Sequence, residues 1–223
     1  MSVKENLDRV MDSIAAACKA ADRNPEEVKI IAVTKYVSID RAAEAVEAGI
    51  IDLGENRDEG LAEKWGHLGD KAVWHYIGTL QTRKVKNVID KISYLHSLDR
   101  LSLAKEVDKR AASPVNCLIQ VNVSGEESKH GLEPDSVLDF VRQLREFQNI
   151  RVAGLMTMAP HTDDEKVLRN CFRKLKTLQQ EVQELKLDYA TCSELSMGMS
   201  NDYHVAVEEG ATMVRIGTAL VGK

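Results

Sequence analysis

Residues 115–123, VNCLIQVNV, form a run rich in β-branched and apolar side chains that reads as the clearest strand of the chain, and residues 29–34, KIIAVT, form a continuous apolar run that reads as a strand covered on both faces, the pattern of a parallel sheet. The flanking sequence extends the theme. Upstream, residues 99–112 have helical periodicity, and downstream Pro134 stands at the first position of a helix carrying Val137, Val141 and Leu144. Further strands are predicted at 29–34 (KIIAVT), 50–53, 73–77 (VWHYI), 92–96, 152–156, 194–197 and 213–216 (MVRI), with a helix between each pair. Capping residues mark helix starts at Ser38, at Thr162 with Glu165, and at Ser200, and glycines mark stops at Gly49 and Gly210. Residues 81–90 read as a basic helix.

This alternation implies right-handed crossovers, and about eight units in 223 residues fit a single-domain α/β fold, a (β/α)8 TIM barrel over 1–223. Few residues follow the eighth strand. The amphipathic helix predicted from Ser2, with Glu5 at capping-box spacing, is therefore expected to take the eighth place in the outer ring. An open doubly wound sheet is the alternative, but no G-x-G-x-x-G follows the first strand.

A net charge of −5 and an aromatic content of 4% argue against nucleic acid as a partner, since neither a basic field nor stacking platforms are present. Cys18, Cys117, Cys171 and Cys192 are widely spaced and have no zinc-ligand pattern, so no metal is expected and the thiols are expected to be reduced. The sequence has no signal-peptide order and no apolar run of membrane-spanning length. A cytoplasmic protein that does not enter a membrane is the expectation, as a monomer or weak dimer.

In a barrel of this kind chemistry lies where strands end. Lys35 closes the first strand in AVTKYV. Set among apolar neighbours and aimed into the mouth it would be a desolvated amine able to form a Schiff base; otherwise it leads the chain back to solvent. Asn56, Gln120 and Asn122 follow apolar runs as ligand-orienting amides or as ordinary caps. His75, inside the third strand, reads as a satisfied core contact, and Met156 and Met158 either face a planar ring or fill gaps. SMGMSND and RIGTALVG place Ser196, Gly198, Ser200, Gly217 and Thr218 after the last two strands, the usual anion cradle of barrels. Arg215, two residues before Gly217, would point into the barrel, where a permanent cation needs a ligand acceptor. A Schiff-base lysine, an anion cradle and an inward arginine together describe a site for pyridoxal 5'-phosphate (PLP).

AVTKYV, LGENR, HYIGTLQTRK, GLMTMAP, LSMGMSND and VRIGTALVG, in this order, resemble the motif set of the pyridoxal phosphate homeostasis protein family, the YggS/PROSC-like proteins. The resemblance implies a fold-type III barrel like the N-terminal domain of alanine racemase, with PLP as a Schiff base on Lys35. It further implies Arg215 at the pyridine nitrogen, Ser200, Gly217 and Thr218 on the phosphate, and Asn56 near the ring. No catalytic residue is assigned. Fold-type III racemases carry a second, β-rich domain that this chain is expected to lack, so the family reading is a carrier of PLP in vitamin B6 homeostasis, with apo PLP-dependent enzymes as recipients.

Two other readings use the same lysine. A weak amino-acid racemase would pair Lys35 with Tyr36 or His75, and a phosphate-sugar aldolase would use Lys35 without a cofactor. Arg83, Lys84, Lys86 and Lys91 form a basic patch that is either a solvated face or a docking surface for an acidic recipient.

Overall fold

The computed structural model describes residues 2–126 and 130–222. Eight parallel strands follow one another around a closed barrel: β1 (Lys29–Val33), β2 (Asp52–Glu55), β3 (Val73–Tyr76), β4 (Tyr94–Leu98), β5 (Val115–Gln120), β6 (Ile150–Met156), β7 (Glu194–Met199) and β8 (Met213–Ile216). Pairing of β1 with β8, Lys29 opposite Met213 and Ile31 opposite Arg215, closes the ring. The connecting helices are α2 (Ile39–Glu47), α3 (Asp58–Leu68), α4 (Val85–Val88), α5 (Leu101–Arg110), α6 (Val137–Gln143), α7 (Glu165–Glu184) and α8 (Tyr203–Glu208), and a single turn, α9 (Thr218–Val221), follows β8. The expected barrel is therefore present.

The N-terminal helix α1 (Val3–Ala20) packs against α8, α9 and α2 and so fills the eighth place of the ring. Its start carries the capping box read from Ser2 and Glu5. Two bonds pin that end: Val3 N–H donates to Glu44 at 2.8 Å, and Asn6 donates to the Leu220 carbonyl at 2.8 Å. Leu7, Val10 and Ile14 face the interior, while Met11, read from the sequence onto that face, is half exposed.

Several boundaries differ from the sequence reading, each for a local reason. The basic segment is not a continuous helix: a 3-10 turn at Thr82–Lys84 leads into the one-turn α4, because Val85 and Val88 supply a single turn of buried anchor and no side chain caps the start. Asp164, not Thr162, caps α7, accepting from Lys166 N–H at 2.9 Å while Thr162 accepts from Asp164 N–H. Ser200 does not cap α8. Asp202 stands before that helix, with its carboxylate taken by Met199 N–H at 2.6 Å. β5 stops at Gln120 because the chain turns to pair with Leu132, whose N–H reaches the Gln120 carbonyl at 2.9 Å.

The core has two parts. Between strands and helices lies a continuous apolar layer, and inside the barrel sits a small cluster of Ile31, Leu118, Met156 and Met213. Gly54 makes room for it, since a Cβ there would stand 3.0 Å from Ile31. Buried polar side chains, His75, His96, Ser196 and Arg215, also stand on the strands. All four cysteines are free and buried, and burial pushes the Cys117 and Cys192 thiols up to about 12.

Candidate functional site

A cavity of 480 Å³ opens at the C-terminal ends of the strands, and Lys35, Asn56, Ser200, Arg215, Gly217 and Thr218 all line it. Six positions scattered through the sequence thus meet in one place.

Lys35 sits in the turn after β1 rather than on the strand itself. The turn is tied down from below: Thr34 N–H donates to the Gly54 carbonyl at 3.0 Å, and the Thr34 hydroxyl donates to Glu55 at 2.6 Å. Glu55 in turn pairs with Lys64 at 3.0 Å, and both partners are buried. The side chain of Lys35 is exposed, its amine 4.8 Å from the ring centroid of Tyr36, which is itself 73% exposed. The desolvated setting expected from the apolar neighbours is absent, because the turn lifts the residue off the strand.

Arg215 lines the same cavity from β8, the strand paired with β1, and is 5% exposed. Its Nη1 donates to Ser196 Oγ at 2.5 Å and its Nη2 to the Thr157 carbonyl at 2.9 Å. Burial lowers its pKa to about 10, countered by the Asp202 carboxylate, so the guanidinium keeps its charge at neutral pH. The inward orientation read from the sequence is present.

Asn56 reaches the rim because Gly78 lets two loops meet: a Cβ on Gly78 would lie 2.4 Å from the Asn56 carbonyl. Ser200 follows β7, where Gly198 has φ +91 and a Cβ there would stand 2.6 Å from that of Ala206, so only glycine lets this loop fold onto α8. Gly217 precedes and Thr218 begins α9, two and three residues after Arg215.

Other expectations resolve differently. His75 is fully buried, its Nδ1 2.9 Å from His96, its Nε2 2.8 Å from Asp52 and its ring stacked on Tyr94. It is a core residue and does not face Lys35, and Tyr36 lies beside the lysine rather than across the cavity. Met156 belongs to the interior cluster, Met158 lines the cavity half exposed, and Asn122 bonds to the Glu126 carbonyl instead of entering the site. Within the basic patch Lys84 is paired with Asp58 at 2.5 Å and Glu59 at 3.1 Å. Sequence reasoning passed over Thr34, Glu55 with Lys64, His96 and Thr157, and grouped Ser196 with the anion cradle when it in fact bonds to Arg215. Two-residue spacing along β4 and β7 is the available signal for His96 and Ser196, since it sets them on one face with Tyr94 and Glu194.

Residues 6–223 match the family model described as the alanine racemase N-terminal domain. A pyridoxal phosphate homeostasis protein of Aquifex aeolicus is 41% identical over all of this chain and 99% of its own. The chain belongs to the pyridoxal phosphate homeostasis protein family. Among solved structures, a protein from Bifidobacterium adolescentis described as unknown superposes with a TM-score of 0.93 at 32% identity, covering 98% of this chain and 94% of that one. PipY of Synechococcus elongatus PCC7942, solved with PLP bound, superposes with a TM-score of 0.84 at 29% identity over 99% of this chain and all of its own. Both likenesses extend over the whole barrel. Among the described residues no helix is long and apolar enough to cross a membrane, and no cluster of metal-ligating side chains is found.

Proposed function

We propose that this chain binds PLP in the barrel mouth through Lys35 and acts inside the cell to hold and deliver the cofactor, affecting amino-acid and keto-acid balance without robust turnover of its own. The observation that carries the reading is the pairing, around one cavity, of an exposed primary amine just past the end of β1 with a buried guanidinium on the adjacent β8. The residues fit the group. The cavity's 480 Å³ falls within the roughly 300–1,000 Å³ of small-molecule sites. Lys35 is the nucleophile for an aldehyde, Arg215 a donor for a ring nitrogen, and the hydroxyls and backbone of Ser200, Gly217 and Thr218 a cradle for a phosphate. Asn56 stands at the rim beside them. Bound there, PLP supplies an electrophilic carbonyl carbon and an electron-withdrawing ring. Because Arg215 donates and does not accept, an acceptor nitrogen facing it stays unprotonated, which weakens the ring as an electron sink. The family relatives and the PLP-bound PipY support the same assignment.

The test is titration of the purified protein with PLP, followed by borohydride reduction and peptide mapping. The expected result is a visible absorbance band and a single fixed adduct on Lys35; no band, or an adduct elsewhere, overturns the assignment. Transfer to an apo PLP-dependent enzyme, measured as recovered activity, tests delivery.

A weak racemase is the second reading, favoured by one observation: His161 lines the cavity and is exposed. Turnover of an L-amino acid that is lost in both Lys35→Ala and His161→Ala would establish it.

A further inference from the structure

Beneath the mouth, the barrel interior holds a row of polar side chains that the cofactor assignment leaves unused. Ser196 Oγ, which accepts from Arg215, is 2.9 Å from His96 Nδ1. His96 Nε2 is 2.9 Å from His75 Nδ1, and His75 Nε2 is 2.8 Å from Asp52 Oδ1. Both histidines and Ser196 are fully buried. Asp52 is the first residue of β2, so the row runs from the cavity floor through the barrel to its opposite end.

The ends of the row fix its direction. A guanidinium only donates, so Ser196 Oγ must accept from Arg215, and its single proton is then directed to His96 Nδ1. An ionised carboxylate only accepts, so His75 donates to Asp52 from Nε2 and keeps Nδ1 as an acceptor for the Nε2–H of His96. Every proton therefore points from Arg215 toward Asp52. Reversing either ring would set N–H against N–H or leave the Ser196 proton without an acceptor, a costly arrangement in a buried site. Burial favours the neutral form of both rings and lowers both pKa values; at His75 Asp52 and Glu194 oppose this and Lys29 adds to it, and at His96 the charges of Arg215 and Lys29 add to it. The bonds, the burial and the forced tautomers agree.

We propose that Asp52, His75, His96 and Ser196 are positioning residues, a one-way hydrogen-bond chain, anchored by Asp52 at the far end of the barrel, that holds the Arg215 guanidinium in one orientation at the cavity floor. What Arg215 faces rests on the PLP assignment; the chain itself does not.

The experiment is nitrogen-15 NMR of the side chains in the full protein without PLP, then with it. In the wild type both His75 and His96 are expected as neutral Nε2–H tautomers from pH 6 to 8. An Nδ1–H tautomer or an imidazolium at either site at pH 7 overturns the direction of the chain. In Asp52→Asn, the guanidinium N–H resonances of Arg215 are expected to shift, although residues 52 and 215 share no direct bond. A change confined to His75 overturns the coupling and leaves a merely structural role. With PLP, Asp52→Asn is expected to raise the dissociation constant about three- to tenfold, within the range of coupling between members of one network; an unchanged constant overturns the positioning role. Should Asp52→Asn fail to fold, Ser196→Ala cuts the chain at its other end and is expected to shift the Arg215 guanidinium resonances while both Nε2–H tautomers, anchored at Asp52, persist; unmoved Arg215 resonances overturn the positioning role. A wild type that binds no PLP but shows both expected tautomers rejects the cofactor assignment and supports the chain.

Discussion

Around one cavity, the end of β1 presents a lysine whose backbone is bonded and whose side chain is exposed, while β8 presents an arginine whose side chain is bonded and buried. Lys35 reaches solvent with its amine against Tyr36, whereas Arg215 spends donors on Ser196 and Thr157. The difference teaches how the barrel divides labour. Under the proposed assignment Lys35 forms and releases a covalent bond and gains from freedom to move, while its backbone is held by Thr34, whose hydroxyl bonds Glu55. A group that must present a fixed charge gains from being locked, because a buried cation without partners is strongly destabilising.

The largest way to break this contrast is Lys35→Ala. It is expected to abolish the visible PLP band and the borohydride-fixed adduct while changing unfolding free energy by less than about 0.5 kcal/mol, as for a surface substitution. Denaturant melts beside absorbance titration check both halves.

Glu55→Gln strikes the support of the mobile end. It leaves Lys64 buried without its anion and weakens the Thr34 bond, and an expected loss of about 3–5 kcal/mol in a urea titration follows from breaking a buried pair. A loss below 1 kcal/mol would mean that Lys64 finds another partner.

The locked end has a signature in pH. Both His75 and His96 have folded pKa values below the ordinary 6.5, so the folded state binds fewer protons than the unfolded chain as pH falls through that region. The stabilisation is complete above pH 6.5 and is lost as pH falls toward the folded values. The unfolding free energy is expected to fall by up to about 1.4 kcal/mol per pH unit for each histidine. Melts from pH 7.5 to 5 show it, and His96→Phe should flatten the slope.

Ser196→Ala sharpens the same side. Removing the hydroxyl strips a partner from Arg215 and from His96 at once, with an expected cost of about 1–3 kcal/mol. Tyr36→Ala is the smallest effect. An exposed cation–π contact is worth about 0.5–1 kcal/mol, so PLP affinity should change less than about fivefold.

The eight-unit barrel was legible because short strand-like runs rich in β-branched residues, the continuous apolar run of residues 30–33 among them, alternate with amphipathic helices. The seat of α1 followed from counting helices against strands. Ser200 as a helix cap was misread because Asp202, two residues on, stands nearer the helix and takes the Met199 N–H. The exposure of Lys35 was one of two open readings, because a one-residue difference in strand end separates a wall position from a turn. The interior row was hidden for another reason: Asp52, His75, His96 and Ser196 come from four strands, and alternation gives the face each occupies but not the partner it meets. The same holds for Glu55 and Lys64, whose pairing depends on how α3 lies on β2.

The seam that α1 closes has a consequence for the order in which the molecule can be made. Asn6 and Leu220, which bond across that seam, are 214 positions apart. On a ribosome advancing at about 5–20 residues per second, that interval is roughly 10–40 s. For that time the apolar stripe of Val3, Leu7, Val10 and Ile14 has been synthesised but the α8 and α9 surfaces that cover it have not. Helix α1 thus leaves the tunnel well before it can dock, and the nascent barrel carries an open, sticky edge until β8 and α9 arrive.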